Sequence, residues 1–479
     1  VKDSVFNDNT GSGSDSDGLY IFSKGAVTIT NVHASNNEGD GLYIWNPQDT
    51  SPSSVSVRCT TSEACQFSNN DANGLFLYAY GKVTLSNLML NDNGVNGGLI
   101  YNLGNIQGYP LALSKLNAHN NGQRGFLFTT AGSVSLTNIN ADGNGFFGVD
   151  IDADGGFGKV TVRRSAPGWN TFNDNGTQDG LHIEARNTIL VQKIQANGNG
   201  RYGADLNNCQ LTVPNDPCTG GGGITISGSG ANPNQFNGNG VLGLNAVSSG
   251  SITITNIHAD ENGFSGAEIV NYYSNASGDV AITAASGFTN TFDRNQGERQ
   301  QEEVDPALYV AEWAHGLAVF TNGAVTLKSL TANENHGAGV YITNNSGSSL
   351  RRPVSVQSGE FNNNTNGDGL YITSLAPVTL RAVNASGNDG QDLAIPVTFD
   401  GPGGGTPAVV AERVIDRSTN PESDMWNFRI GDVLPPNMFI EVKASLSVTV
   451  TLEKYDTGLS VWTAVASECG TTVEMDFDG

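Results

Sequence analysis

The chain has 479 residues, with 47 Asp plus Glu against 23 Lys plus Arg and a formal net charge of -24, a balance that excludes nucleic acid and anionic membrane surfaces as partners. Only 15% of the residues are charged while Gly alone supplies 61, a turn-rich composition that argues against a helical bundle. No apolar run approaches the roughly 18 residues that would cross a bilayer, so no membrane-spanning segment is expected, and the opening Val1-Lys2-Asp3 has no signal-peptide pattern, which reads as a processed or partial chain.

From the first residues to about 395 the sequence repeats itself. The segments GAVTITNVHASNNEGDGLYI (25–44), GSVSLTNINADGNGFFGVDI (132–151), GSITITNIHADENGFSGAEI (250–269) and GAVTLKSLTANENHGAGVYI (323–342) align without a gap. The Gly that opens each closing tetrad recurs after 23 residues, as from Gly18 to Gly41 and Gly74 to Gly97, in alternation with a longer and variable interval. Within the tetrad, Leu19 and Ile21 alternate with Tyr20 and Phe22, and Val-Thr-Ile-Thr upstream alternates in the same way, so both are strands. An Asn stands at one fixed place in every coil: Asn9, Asn37, Asn70, Asn93, Asn121, Asn144, Asn175, Asn199, Asn239, Asn262, Asn295, Asn335, Asn364 and Asn388. Asn tolerates a left-handed backbone and its amide both donates and accepts, so a ladder of Asn at one corner is expected. Three residues earlier, Phe67, Phe172, Phe236, Phe292 and Phe361 are interspersed with Ala34, Ala141, Ala196, Ala259 and Ala332, the large-and-small alternation of a close-packed interior stack.

About 23 residues per turn, three short strands per turn, an Asn ladder and stacked apolar columns resemble the right-handed parallel β-helix of the pectate-lyase-like superfamily. The resemblance covers residues 1–395 and implies an all-β solenoid of about fourteen coils, roughly 65 to 70 Å long at ~4.8 Å per coil. It implies little about chemistry, since that scaffold carries lyases, hydrolases, adhesins and inert stalks.

In chain order, the outward positions of the tetrads begin with an aromatic field: Tyr20, Phe22, Tyr43, Trp45, Phe76, Tyr78 and Tyr101. Such a stripe suits contact with sugar rings or with another chain. Cys59 and Cys65 follow as a close pair and Cys209 and Cys218 as a second; neither has zinc-site spacing, so two short disulfides and an oxidising, extracellular or cell-surface home are expected. Between the pairs the same outward columns turn acidic, with Asp150, Asp152, Glu184 and Asp205 around His182. Carboxylates ~5 Å apart repel by about 3 kcal/mol at an effective dielectric near 20, so the patch is a solvated face, a calcium site on Asp150, Asp152, Glu184 and Asp205, or an acid/base set. No cofactor is required, calcium being the one ion this patch offers a place for. The hydrolases and lyases of the resembled superfamily use clustered Asp with nearby His, Arg or Lys, which maps onto Asp150, His182 and Asp205. The hydrolases' paired Asp, Gly-His-Gly and Arg-x-Lys are missing, Ala314-His315-Gly316 being the nearest echo, and neither column holds a basic residue.

Residues 298–315, with QQEEVD, are the least repeat-like insertion and read as a surface excursion. The repeat stops at Pro396, residues 396–407 read as a linker, and 408–479, with Leu446, Val448, Val450 and Leu452 in alternation, as a small β-rich domain that is sandwich-like or a cap. The functional expectation is a secreted, non-enzymatic structural or adhesive solenoid of an extracellular matrix, surface layer or filament. Its partners are copies of itself joined head to tail, or an extracellular polysaccharide. The alternative is an extracellular polysaccharide lyase or glycoside hydrolase. Val5 and Phe6 already occupy coil positions with no capping segment before them, so either an upstream region has been lost, as in a stalk cut from a longer surface protein, or a neighbouring molecule provides the cap head to tail.

Overall fold

The structure, a computed structural model, describes the chain except residues 12–15, 48–51, 61, 105–107, 166, 210–221, 272–277, 298–313, 345–351, 375, 377, 395–408, 413–437, 457–460 and 478–479; for the strands beyond residue 408 it describes the backbone alone. Cys218, residues 298–313 of the expected excursion and the expected linker therefore lie outside the described residues.

Two long parallel sheets wind around one core. The tetrads form a 14-stranded sheet running from Leu19–Phe22 to Leu393–Ala394. Equivalent positions pair, as in Leu42↔Leu75, Tyr43↔Phe76 and Ile44↔Leu77. The Val-Thr-Ile-Thr segments form a 21-stranded sheet that turns a corner within each coil. That corner is a left-handed residue, Asn31 inside Val27–His33, Asn138 inside Val134–Asn140 or Lys193 between Ile189–Gln192 and Ile194–Gln195. The three strand faces per turn expected from the repeat are present, two of them merged in one bent sheet, and no helix occurs among the described residues. The chain is a parallel β-helix over this region.

Period-two alternation sends Ile29, Ile44, Leu77, Leu136 and Ile183 into the interior without exposure, while Phe67, Phe172, Phe236, Phe292 and Phe361 fill the wide levels between buried Ala residues. The opening Gly of the tetrad is demanded by the stack. A Cβ at Gly148 would stand 2.5 Å from the Gly180 carbonyl and 2.8 Å from the Asn175 amide, so no side chain fits there.

The Asn ladder is continuous. Each Asn gives its backbone N–H and its side-chain amide to the Oδ1 of the Asn one coil on, from Asn9 on Asn37 (3.1 and 2.8 Å) through Asn144 on Asn175 (3.0 and 3.0 Å) to Asn364 on Asn388 (3.0 and 2.8 Å). One part of the expectation is corrected: the left-handed residue is the one before the ladder Asn, for example Asp8, Asn36, Asp174, Glu261 and Glu334 with φ of 56–60°. The ladder Asn is kept for its double hydrogen bond, and its neighbour takes the strain. The repeat also conceals a second ladder two residues before the first. There Asn7 accepts from the Ser35 N–H (2.9 Å), Asp142 from Asn173 (2.6 Å), Asn197 from Asn237 (2.7 Å) and Asp293 from Asn333 (2.7 Å).

Cys59 and Cys65 are joined in a disulfide, and Cys209 is disulfide-bonded. The expected boundary near 396 does not end the sheet. Val409–Glu412, assigned from sequence to the C-terminal domain, pairs in parallel with Val378–Arg381, because Val-Val-Ala continues the strand pattern for one more turn. A separate unit contains a long antiparallel hairpin, Met438–Asp456 with Val461–Phe477, shifted in register between Lys443 and Val448 and between Leu452 and Glu453.

Candidate functional site

The outward face of the 14-stranded sheet carries every side chain singled out as functional, and strand register decides which of them meet. Tyr20 pairs with Tyr43 and Phe22 with Trp45 in register, and the rings of Tyr20, Tyr43 and Phe76, and those of Trp45 and Tyr78, stack nearly parallel. Centroids lie 4.9 Å apart for Tyr20–Tyr43, 4.5 Å for Tyr43–Phe76 and 4.2 Å for Trp45–Tyr78, while Phe76–Tyr101 is tilted at 6.2 Å. The sequence puts the rings in line, but the stacking consumes their faces. Solvent meets ring edges, with Tyr20 and Phe22 50% and 59% exposed at the end of the row. Sugar stacking needs a free face, so along most of this stripe that mode is closed. Farther along, the same face is apolar and covered: Val247, Val270, Ala318 and Phe320 are buried with Cys209 against Tyr341.

Between these stretches lies the charged cluster. Asp150 of Val149–Ala153, His182 of Leu181–Ala185 and Asp205 of Ala204–Asn207 are direct neighbours in register, and Asp152, Glu184 and Asn207 form the next row. Asp150 turns to a basic residue that the strand columns do not contain, accepting from Arg124 Nε at 3.0 Å. His182 Nδ1 sits 3.4 Å from Asp205 Oδ2 and 3.5 Å from Asp179 Oδ2, and its Nε2 faces Glu184 Oε1 at 3.7 Å. Asn245 Nδ2 donates to Asp205 Oδ1 at 2.9 Å. Arg201 reaches Asp179 at 3.7 Å and lies over the Tyr202 ring at 4.1 Å. Among the described residues, Asp179, His182 and Asp205 are the group of His, Cys and acidic side chains whose ligating atoms converge, all within 4.8 Å. The four carboxylates assigned to calcium, Asp150, Asp152, Glu184 and Asp205, are not gathered to one point.

Asp179, Arg201 and Arg124 were missed because strand columns hold only outward tetrad positions, and these three stand in the turn that enters the tetrad. A signal was present. In four coils the residue before the tetrad Gly is an Asp, Asp17, Asp40, Asp179 and Asp368, and it accepts a backbone N–H from the next coil, as Asp40 does from Asn73 (2.8 Å) and Asp179 Oδ1 from Tyr202 (3.0 Å). That bond fixes Asp179 and turns its other oxygen to His182.

Electrostatics follow the geometry. Burial opposes a charge on His182, but Asp179, Asp205 and Glu184 outweigh it and raise its pKa well above the ordinary 6.5. Burial raises Asp179 despite His182 and Arg201. At Asp205 burial is overcome by His182, Arg201 and Asn245, and its pKa falls below the usual value. Asp152, burdened by burial and by Asp154 beside it, is pushed up to about 6.

Residues 2–166 match the family model described as a right handed beta helix region. The solenoid is a right-handed parallel β-helix. The coil pattern of the matched third continues without a break to Leu393–Ala394. No curated protein and no solved structure matches the chain.

Proposed function

We propose that this β-helix is a secreted, non-enzymatic structural or adhesive solenoid, working in an extracellular matrix, surface layer or filament through contacts with copies of itself. The observation that carries this reading is the state of the would-be catalytic carboxylates. Asp150 accepts from Arg124, and Asp205 accepts from Asn245 and stands 3.4 Å from His182. A general acid or base needs a proton to exchange near working pH and a path to substrate. Here Asp179 has no exposure and His182 and Asp205 only 18% and 12%, so the cluster faces neighbouring coils and lacks an open path to substrate. The Cys59–Cys65 disulfide supports an oxidising compartment.

The second reading, a polysaccharide lyase or glycoside hydrolase, draws on Arg124 and Arg201, which bring to the acidic face the basic groups a polyuronate would need. Incubation with a panel of acidic and neutral polysaccharides separates the two. No depolymerisation is expected. Reproducible chain cleavage that disappears in Asp150→Asn and Asp205→Asn would replace the structural reading with the enzymatic one.

A further inference from the structure

We infer that Asp179, His182 and Asp205 form a transition-metal site, with zinc as the ion it fits, seated between two adjacent coils. The donor set is one imidazole nitrogen and two carboxylate oxygens. Two carboxylates balance a divalent charge, and imidazole with carboxylate suits zinc, whereas calcium takes six to eight oxygens at longer distances. In a tetrahedral zinc site with bonds of about 2.0–2.2 Å the ligand atoms stand about 3.3–3.5 Å apart. His182 Nδ1 stands 3.5 Å from Asp179 Oδ2 and 3.4 Å from Asp205 Oδ2, separations long for hydrogen bonds and right for two edges of that tetrahedron.

The independent observation is Asp179. Its side chain has no exposure, and its Oδ2 accepts no hydrogen bond among the described residues although it points into the cluster, where His182 Nδ1 also lacks one. A buried carboxylate oxygen is normally satisfied, and one ion would satisfy both atoms. The surroundings are those of a supported site. Each carboxylate has one oxygen tied back, Asp179 Oδ1 by the Tyr202 N–H at 3.0 Å and Asp205 Oδ1 by Asn245 at 2.9 Å, which leaves the other oxygen to ligate. The far nitrogen of His182 faces Glu184 at 3.7 Å, beyond hydrogen-bond reach as it stands and within a small side-chain shift of the carboxylate–histidine–metal arrangement that orients a ligating imidazole. The fourth position is left to water. The ion would join the strands Leu181–Ala185 and Ala204–Asn207.

The test uses the whole chain, stripped with chelator and dialysed against zinc alone or calcium alone, with elemental analysis and thermal melting as readouts. One zinc per chain and a higher Tm in zinc are expected, and cobalt in place of zinc should give the strong visible absorption of a tetrahedral site. His182→Gln and Asp205→Asn should lose the zinc, Glu184→Gln should weaken it about tenfold, and Asp152→Asn should retain it. Asp179→Asn preserves the bond to Tyr202 while removing the ligating charge, so it reports on the site even where another variant fails to fold. Absence of bound zinc, zinc held equally well by Asp179→Asn and Asp205→Asn, or an octahedral cobalt spectrum would each overturn the assignment.

Discussion

Asp152 shows how one side chain on an outward strand position acquires a property that the repeat pattern does not announce. It stands on an outward strand position, yet burial comes first among the causes that push its carboxyl up to about 6, with Asp154 two residues on adding to it. The unfolded chain titrates near 3.8. Below that value both states are protonated and the group contributes nothing. Between the two pKa values the folded state holds the extra proton, and above about 6 the cost of ionising the folded carboxyl is fully present. Stability attributable to Asp152 therefore falls as pH rises from about 4 to 6 and then levels off. Asp152→Asn should melt higher than the parent at pH 7, and the gap should close on acidification through 6 and vanish below 3.8. A gap that stays constant across that range would mean that the gain comes from packing and not from charge.

At the scale of the element, a row of like residues at ~4.8 Å spacing becomes one object. The Asn ladder was readable because a single residue type recurs at one place and its amide can both donate and accept. The second ladder was not, because Asn7, Ser35, Asp142 and Asn197 share an acceptor atom and not an identity. The aromatic row was visible as a list, but the ring orientation, with faces spent on each other, was not. Tyr43 is the middle of that row, stacked on Tyr20 at 4.9 Å and on Phe76 at 4.5 Å. Tyr43→Ala removes two ring pairs, about 1 to 3 kcal/mol beyond the buried area, and uncovers a face on each neighbour. The variant should melt lower, and any binding of soluble oligosaccharide should rise and not fall. A variant that melts like the parent but loses oligosaccharide binding would restore the sugar-platform role.

For the whole molecule, the solenoid was legible from periodicity because each coil repeats one solution, while its end was not, because the last strand lies beyond a segment unlike the repeat. Val409–Glu412 pairs with Val378–Arg381, so a cut placed at 408 would strip a strand from the sheet, whereas removal of 428–479 takes only the hairpin unit. The solenoid without 428–479 should keep its melting transition, since the ladders and the Phe stack lie wholly within residues 1–395. Self-association is a separate question. The strands Lys2–Val5 and Leu19–Phe22 carry Val5, Tyr20 and Phe22 at 65%, 50% and 59% exposure, apolar surface that suits contact with another chain. Under the proposed role in contacts with copies of the chain, a contact between unlike surfaces gives an open filament when the rotation does not close. The full chain should therefore show concentration-dependent sedimentation and rods longer than one solenoid in electron micrographs. Val5→Lys with Phe22→Lys should return it to single particles without lowering its Tm. If the parent sediments as a monomer at all concentrations, these exposed side chains are not a docking surface for copies of the chain, and adhesion to another partner becomes the form the structural role takes.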